Sequence, residues 1–194
     1  MRNKFLLILI ITLLINLTCY SQQSNELRTY FGITDSKLLR KVSLDGGASY
    51  ENEKNYEFGV KYLRKLSPKF SIEIGVNYLS TKVKITPTFI GTTLNLKQEN
   101  LKLISIPIYA NYSFGKYFFL NGGPILDFQN SKKSFDSQSG IGYGIGFGGK
   151  YSFDRFLIYL NPNFKRHSVI PFEKETYHQK LTEFGIQFGI GYKF

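Results

Sequence analysis

Residues 181–194 read LTEFGIQFGIGYKF and alternate strictly between two kinds of side chain. The odd-numbered residues from 183 to 193 are polar or small, with Glu183, Gln187 and Lys193 separated by glycines. The even-numbered residues are apolar and largely aromatic: Phe184, Ile186, Phe188, Ile190, Tyr192 and Phe194. A period of two is that of a β-strand. An aromatic outer face opposed to a glycine-rich polar inner face is typical of a strand in a transmembrane β-barrel.

The opposite end of the chain has the features of an export signal. Arg2 and Lys4 precede an apolar run over residues 5–17, and Cys19 and Ser21 occupy positions −3 and −1 of a small-residue cleavage site. We expect a signal peptide over residues 1–21, cleaved before Gln22, and one mature domain over residues 22–194. The alternative is a lipoprotein with a lipid on Cys19, although residues 16–18 match such a signal poorly.

The net charge constrains the partners. It is +11 for the whole chain and falls to +9 without the leader, because residues 1–21 carry two cations and no carboxylate. A basic protein can bind nucleic acid, but an exported one rarely meets it. We therefore expect no nucleic-acid partner and assign the counter-charge to anionic lipid headgroups.

The alternation recurs along the chain and predicts eight strands, at residues 28–34, 55–64, 70–81, 101–113, 117–129, 140–152, 155–165 and 181–194. Tight turns at 65–69, 114–116 and 152–154 alternate with long polar connections at 35–54, 82–100, 130–139 and 166–180. This pattern predicts an all-β fold, an eight-stranded antiparallel up-and-down transmembrane β-barrel in the cell outer membrane, with both termini on the periplasmic side. A soluble β-sandwich is the alternative fold.

The residues on the inward face of each strand predict a polar network that fills the lumen, because eight strands enclose only enough space for side chains. Opposite charges there should pair, and the glycines of residues 142–148 and 185–191 should make room for long neighbours. Pro107, Pro124 and Pro162 predict bulges or register shifts nearby. The predicted lumen polar network comprises Glu57, Lys61, Glu73, Asp127, Arg155, Tyr159, Glu183 and Gln187. A narrow solute path through these charges is the alternative to a plug.

Residues 103–128 contain Ile106–Pro107–Ile108 and the step Gly123–Pro124 on either side of a short turn. This segment resembles the PorT-like outer-membrane β-barrel family of the Bacteroidota, small barrels of the OmpA/OmpX kind. The resemblance implies the barrel fold and a link to type IX secretion, and it assigns no functional residue. The closing strand also resembles the C-terminal insertion signal of such barrels, in Phe188, Ile190, Tyr192 and Phe194, with the barrel-assembly machinery as partner during insertion.

Candidate chemistry is sparse. His167 and His178 both fall in the fourth long connection, and Asp127 is expected at a similar height but two strands from His167, which argues against a direct hydrogen bond. We therefore expect that the protein is not an enzyme. A hydrolase with His167 at the outer rim is the alternative. Metal-ligand spacing is absent, and we expect no cofactor or metal.

The long connections are rich in cations and predict a cationic outer rim facing lipopolysaccharide phosphates. Its members are Lys82, Lys84, Lys132, Lys133, Lys165, Arg166 and His167. The sequence thus predicts a structural or interaction role, in which loops or turns contact lipid or a partner protein. The alternative is an accessory role in a secretion or assembly machine.

Overall fold

The computed structural model describes residues 25–39, 49–52, 55–86, 97–131, 137–173 and 179–194, and the predicted signal peptide lies outside them. The described residues include no helix long and apolar enough to cross a membrane. The strands are β1 (Asn25–Leu39), β2 (Ser49–Asn52), β3 (Asn55–Lys65), β4 (Phe70–Thr86), β5 (Lys97–Phe114), β6 (Phe118–Gln129), β7 (Gly140–Phe153), β8 (Phe156–Pro171) and β9 (Lys180–Lys193).

The strands form one closed antiparallel barrel with eight rows. β2 and β3 both pair with β4 and form one interrupted row, and apart from the closing pair of β1 with β9 each row neighbours the next row in sequence. β1 closes the barrel against β9, from Glu26 opposite Lys193 to Leu39 opposite Lys180. The backbones of Asn25 and Phe194 exchange two hydrogen bonds of 2.9 Å. The predicted eight-stranded barrel is confirmed.

The strands run further at one end of the barrel than alternation predicts. We call this the loop end, because the long connections lie there, and the opposite end, with the three tight turns and both described termini, the turn end. β1 extends to Leu39 rather than residue 34, and β8 extends to Pro171 rather than residue 165. Beyond the apolar belt the outer face becomes polar, so alternation fades while the hydrogen-bond ladder continues. Hydrophobic periodicity therefore marks the belt and not the strand ends.

The prolines interrupt the ladder without shifting the register. No paired residues occur between Pro107–Ile125 and Ala110–Gly122, yet β5 and β6 keep the same register on both sides of this gap. Pro162 keeps its place opposite Ile186. The predicted shift beside the prolines is therefore wrong. A shift occurs instead between Ile141 and Tyr143, where β8 bulges opposite β7.

The outer wall is an apolar belt with an aromatic zone at the turn end. Both ends of β9 confirm the predicted outward parity, since Phe184, Ile186, Phe188, Ile190, Tyr192 and Phe194 are all exposed. At the turn end, aromatic rings contact one another from strand to strand, as in Tyr62–Phe194, Phe156–Tyr192, Phe153–Phe156 and Tyr117–Tyr151. Tyr112 and Phe114 form a further ring contact within β5. Amphipathic aromatic rings prefer the membrane–water interface. The turn-end zone therefore marks one interface.

Large inward side chains lie over glycines of the neighbouring strands. An added Cβ at Gly59 would meet the Tyr30 ring at 2.7 Å, and one at Gly148 would meet Phe119 Cζ at 2.4 Å and the Leu160 carbonyl oxygen at 2.6 Å. The predicted role of the inward glycines is confirmed. They let an interior of fixed width hold rings and long charged chains.

We predict that Gly148→Ala destabilises the barrel, because the new methyl group overlaps both a buried ring and backbone. Overpacking of this kind typically costs about 1–3 kcal/mol. The matched control is Gly149→Ala, since a Cβ there has only the Tyr117 carbonyl oxygen within 4 Å, at 3.9 Å. The urea midpoint, read from the band that shifts on boiling in a cold SDS gel, should fall for Gly148→Ala and stay near wild type for Gly149→Ala. Equal midpoints would contradict the packing argument.

Candidate functional site

The lumen gathers most of the charged side chains that the sequence analysis placed there. Seven of the eight predicted members are buried, namely Glu57, Lys61, Glu73, Asp127, Tyr159, Glu183 and Gln187. Arg155 is exposed instead, so its assignment to the lumen is wrong. Asp154 adopts a positive φ of 52° in a tight turn, and β8 begins at Phe156, which leaves Arg155 within the turn.

A ring of aromatic and apolar side chains closes the lumen near the turn end. It consists of Tyr30, Phe119, Leu157 and Tyr159, all at most 6 % exposed. The guanidinium carbon of Arg28 lies 5.3 Å from the Phe119 ring centre and 5.0 Å from that of Tyr159. Arg28 is also paired with Glu26 at 3.1 Å and is 1 % exposed. The sequence analysis missed Arg28, although it shares the inward parity of Tyr30 and Gly32.

Glu57 organises the middle of the lumen. Its carboxylate accepts hydrogen bonds from Tyr30 Oη at 2.8 Å and Asn77 Nδ2 at 2.7 Å. Lys165 Nζ lies 2.5 Å from the same carboxylate. A fully buried charge requires such partners, because unpaired it would cost several kcal/mol. Glu57 therefore joins β1, β3, β4 and β8.

A second ion pair lies beside the first. Lys61 Nζ is 3.0 Å from Glu73 Oε1 and donates to Gln187 Oε1, also at 3.0 Å. Asn111 Nδ2 donates to Glu73 Oε2 at 3.2 Å, and Asn121 Nδ2 donates to Glu73 Oε1 at 3.3 Å. Gln187 also donates to Glu57 at 3.3 Å, which connects the two pairs across the lumen.

The network continues toward the loop end through His167. Its Nδ1 lies 2.9 Å from Asp127 Oδ1, and its Nε2 lies 3.3 Å from Glu183 Oε2. Glu183 is in turn 3.7 Å from Lys165, and Ser105 donates to Asp127 at 2.6 Å. Polar contacts thus run from Glu73 to Ser105 through the whole middle of the barrel. The expectation that Asp127 and His167 are too far apart is wrong.

A bulge in β8 brings His167 inside. His167 and Ser168 are consecutive and both buried, and Ser168 has a positive φ of 48°. The register with β7 shifts at the same place. Because the sequence analysis ended this strand at residue 165, it placed His167 in a solvated loop. Alternation cannot reveal two neighbouring residues that point the same way.

The predicted cationic outer rim is therefore only partly at the rim. Lys165 is 4 % exposed and His167 is 1 % exposed, so both belong to the lumen and their rim assignment is wrong. Lys82 is exposed at the loop end and Arg166 is half-buried. The side chain of Lys84 and all of Lys132 and Lys133 lie outside the described residues.

A cluster of leucines closes the lumen at the loop end. Its members are Leu38, Leu79, Leu101, Leu103 and Leu181, and we call it the leucine lid. Gln138, fully buried beside β9, accepts from the Leu181 N–H at 2.8 Å and donates to the Gln179 carbonyl at 2.8 Å. The charged middle is thus enclosed between an apolar layer and an aromatic ring. No sequence signal marked Gln138, because it lies in a connection.

The enclosed network has the character of a structural core. His167, which would serve a hydrolase, is screened from solvent between two carboxylates. Within the described residues, no group of three or more His, Cys, Asp or Glu side chains is arranged to hold a metal ion. The charged side chains of the lumen neutralise one another across strands.

The fold is shared with small outer-membrane barrels. The outer membrane protein OprG from Pseudomonas aeruginosa matches with a TM-score of 0.51 at 15 % identity, covering 88 % of this chain and 95 % of that one. AlkL in lipid bilayers gives 0.52 at 12 %, covering 90 % and 92 %. Ail of Yersinia pestis gives 0.50 at 14 %, covering 89 % and 99 %. No protein-family model and no curated protein sequence matches the chain.

The closed barrel, its apolar wall and this likeness define a small eight-stranded β-barrel with the fold of outer-membrane barrels. The predicted location in the outer membrane agrees with the exposed apolar wall, which water would not stabilise.

We predict that Lys165→Met strongly destabilises the barrel, because it leaves Glu57 and Glu183 without their shared cation. Breaking a buried ion pair on one side costs about 3–5 kcal/mol. Lys82→Met is the matched control at an exposed position, where substitutions usually stay within about 0.5 kcal/mol. Adding Glu57→Gln to Lys165→Met should restore part of the urea midpoint. Similar midpoints for the two lysine variants would mean that Lys165 is a rim residue after all.

Proposed function

We propose that the protein is a non-conducting outer-membrane barrel with a structural or interaction role, and that its ends, rather than its lumen, contact other molecules. The observation that carries this proposal is the enclosed interior. The ion-paired side chains in the middle of the lumen are buried. The leucine lid covers them on one side, and the aromatic ring covers them on the other. An ion entering from either end would have to displace an apolar layer and then break charge pairs.

The loop end carries outward-facing lysines toward the outer leaflet, of which Lys37, Lys82 and Lys102 are exposed and Lys180 is half-buried. Lys37 and Lys180 lie diagonally across β1 and β9, since Lys37 is opposite Thr182 and Lys180 is opposite Leu39. Lys82 and Lys102 are related in the same way across β4 and β5. Both outward pairs lie at the height of the leucine lid, next to Leu38, Leu101 and Leu181. Cations at this height support contact with the phosphates of lipopolysaccharide.

The comparison with Ail supports anion binding as part of this proposal. Ail was solved in complex with the heparin analogue sucrose octasulfate, a sulfated anion. The lysine pairs of this chain carry positive charge, opposite in sign to the charge of sulfate or phosphate. Insertion through the barrel-assembly machinery, guided by the exposed Phe188, Ile190, Tyr192 and Phe194, is part of the same proposal.

A second candidate is an accessory component of a secretion or assembly machine. The Ile106–Pro107–Ile108 and Gly123–Pro124 steps that resemble PorT-like proteins favour it. In the structure these steps interrupt the same stretch of the β5–β6 ladder, so they are also a feature of the wall. A partner at the periplasmic turns would distinguish the candidates, because it should co-purify after the outer loops are trimmed.

We predict that the purified barrel gives no single-channel steps in planar lipid bilayers, because the charged middle is enclosed on both sides. A general porin reconstituted in the same bilayers serves as the positive control. Reproducible steps that depend on the amount of protein inserted would contradict the closed-lumen proposal and favour the narrow solute path.

We predict that Lys82→Gln with Lys102→Gln weakens binding of the nanodisc-embedded barrel to lipopolysaccharide by about tenfold, since each lysine near an anionic surface contributes about 1 kcal/mol before screening. The matched control is Lys69→Gln with Arg155→Gln, which removes the same charge from exposed positions at the turn end. The control should bind as the wild type does. An equal loss in both variants would show a general charge effect and overturn the loop-end assignment.

A further inference from the structure

A cavity of about 440 Å³ opens at the turn end, on the periplasmic side of the aromatic ring formed by Tyr30, Phe119, Leu157 and Tyr159. We call it the turn-end basin. Four lysines line it, Lys65, Lys116, Lys150 and Lys193, together with the hydroxyls of Ser71, Ser113 and Ser152. Its volume lies in the range of small-ligand pockets.

The basin carries an excess of positive charge. Among the described residues, Glu26 is the one carboxylate in its lining, and that carboxylate is already paired with Arg28 at 3.1 Å. Four cations in one concave site focus a positive potential, which a bound anion would relieve.

Lys150 is placed to hold such an anion. It is partly buried, and its Nζ donates to Ser113 Oγ at 2.8 Å. No ion pair joins it to a carboxylate of the described residues. An ammonium group carries three N–H donors, so two remain for a ligand. Oxygens of a phosphate group accept from ammonium and hydroxyl donors alike.

The neighbouring wall indicates which anion fits. Tyr117, Lys150 and Tyr151 line the basin and also an apolar groove of about 830 Å³ on the lipid-facing side. Phe31, Phe118, Ile158, Phe188 and Ile190 continue that groove up the wall. Tyr117 and Tyr151 stack at 6.4 Å within the turn-end aromatic zone, the height at which headgroups lie. A soluble anion would use the basin alone, whereas a phospholipid would use both features.

We propose that the turn-end basin binds the phosphate group of an anionic phospholipid of the periplasmic leaflet, with its acyl chains along the adjoining groove. Lys116 and Lys150 hold the phosphate, and Tyr117 and Tyr151 mark the passage between basin and groove. This site is at the opposite end of the molecule from the lysine pairs of the loop end and does not depend on them.

The test is lipid retention by native mass spectrometry of the whole barrel released from detergent micelles. The micelles contain equal amounts of phosphatidylglycerol and phosphatidylcholine. The wild type should retain phosphatidylglycerol in preference, and Lys116→Gln with Lys150→Gln should lower that preference about tenfold. Lys69→Gln with Arg155→Gln is the control of equal charge at the same end and should behave as the wild type.

Two further controls test whether the variants fold and whether the bound anion is a lipid or free phosphate. All variants are first required to show the boiling-dependent gel shift, and Lys116→Gln alone, at an exposed turn position, is used if the double variant does not fold. Equal retention of the two lipids by the wild type would overturn the proposal. Displacement of phosphatidylglycerol by millimolar inorganic phosphate would assign the basin to free phosphate and likewise overturn the assignment to lipid.

Discussion

The closure of β1 against β9 is the constraint on which the rest of the structure depends. A backbone amide without a partner in hydrocarbon costs several kcal/mol, so a sheet in a bilayer must have no edge. Here β9 meets β1 over its whole length, and Asn25, where β1 begins, and Phe194 complete the ladder. Closing eight rows fixes a narrow interior, which side chains must fill. The polarity and volume of the inward residues then follow from this one requirement.

The charged core also limits the register of the strands. Lys165 on β8 meets Glu57 on β3, and His167 on β8 meets Asp127 on β6, so the contacts join strands that are not neighbours. A slip by one residue would turn these charges toward lipid. Near the midplane a cation on the lipid face costs about 2–4 kcal/mol. A network of this kind therefore supports a single register, although each buried pair by itself contributes little net stability.

The wall could be predicted from the sequence better than the network inside it. Alternation identified the eight rows, the outward parity of β9 and seven lumen residues, because lipid and lumen impose opposite polarity on successive residues. It did not identify the bulge that turns His167 inward, since a bulge breaks the period on which the prediction rests. It also misplaced Arg155 by one residue at a turn. The contact between Asp127 and His167 depends on the width and stagger of the closed barrel, which no local pattern contains.

Because the middle of the lumen is enclosed, contacts with other molecules are expected at the two ends of the barrel. The leucine lid and the aromatic ring separate the charged middle from solvent, so side chains that can meet another molecule lie outside these layers. At the loop end, lysines face outward beside the lid. At the turn end, lysines face inward around an open basin, where Lys150 has only a hydroxyl contact within the described residues. Charges that stabilise the barrel are paired in its middle, whereas the basin concentrates cations without neutralising them. That difference is expected when the neutralising group comes from a ligand rather than from the chain itself.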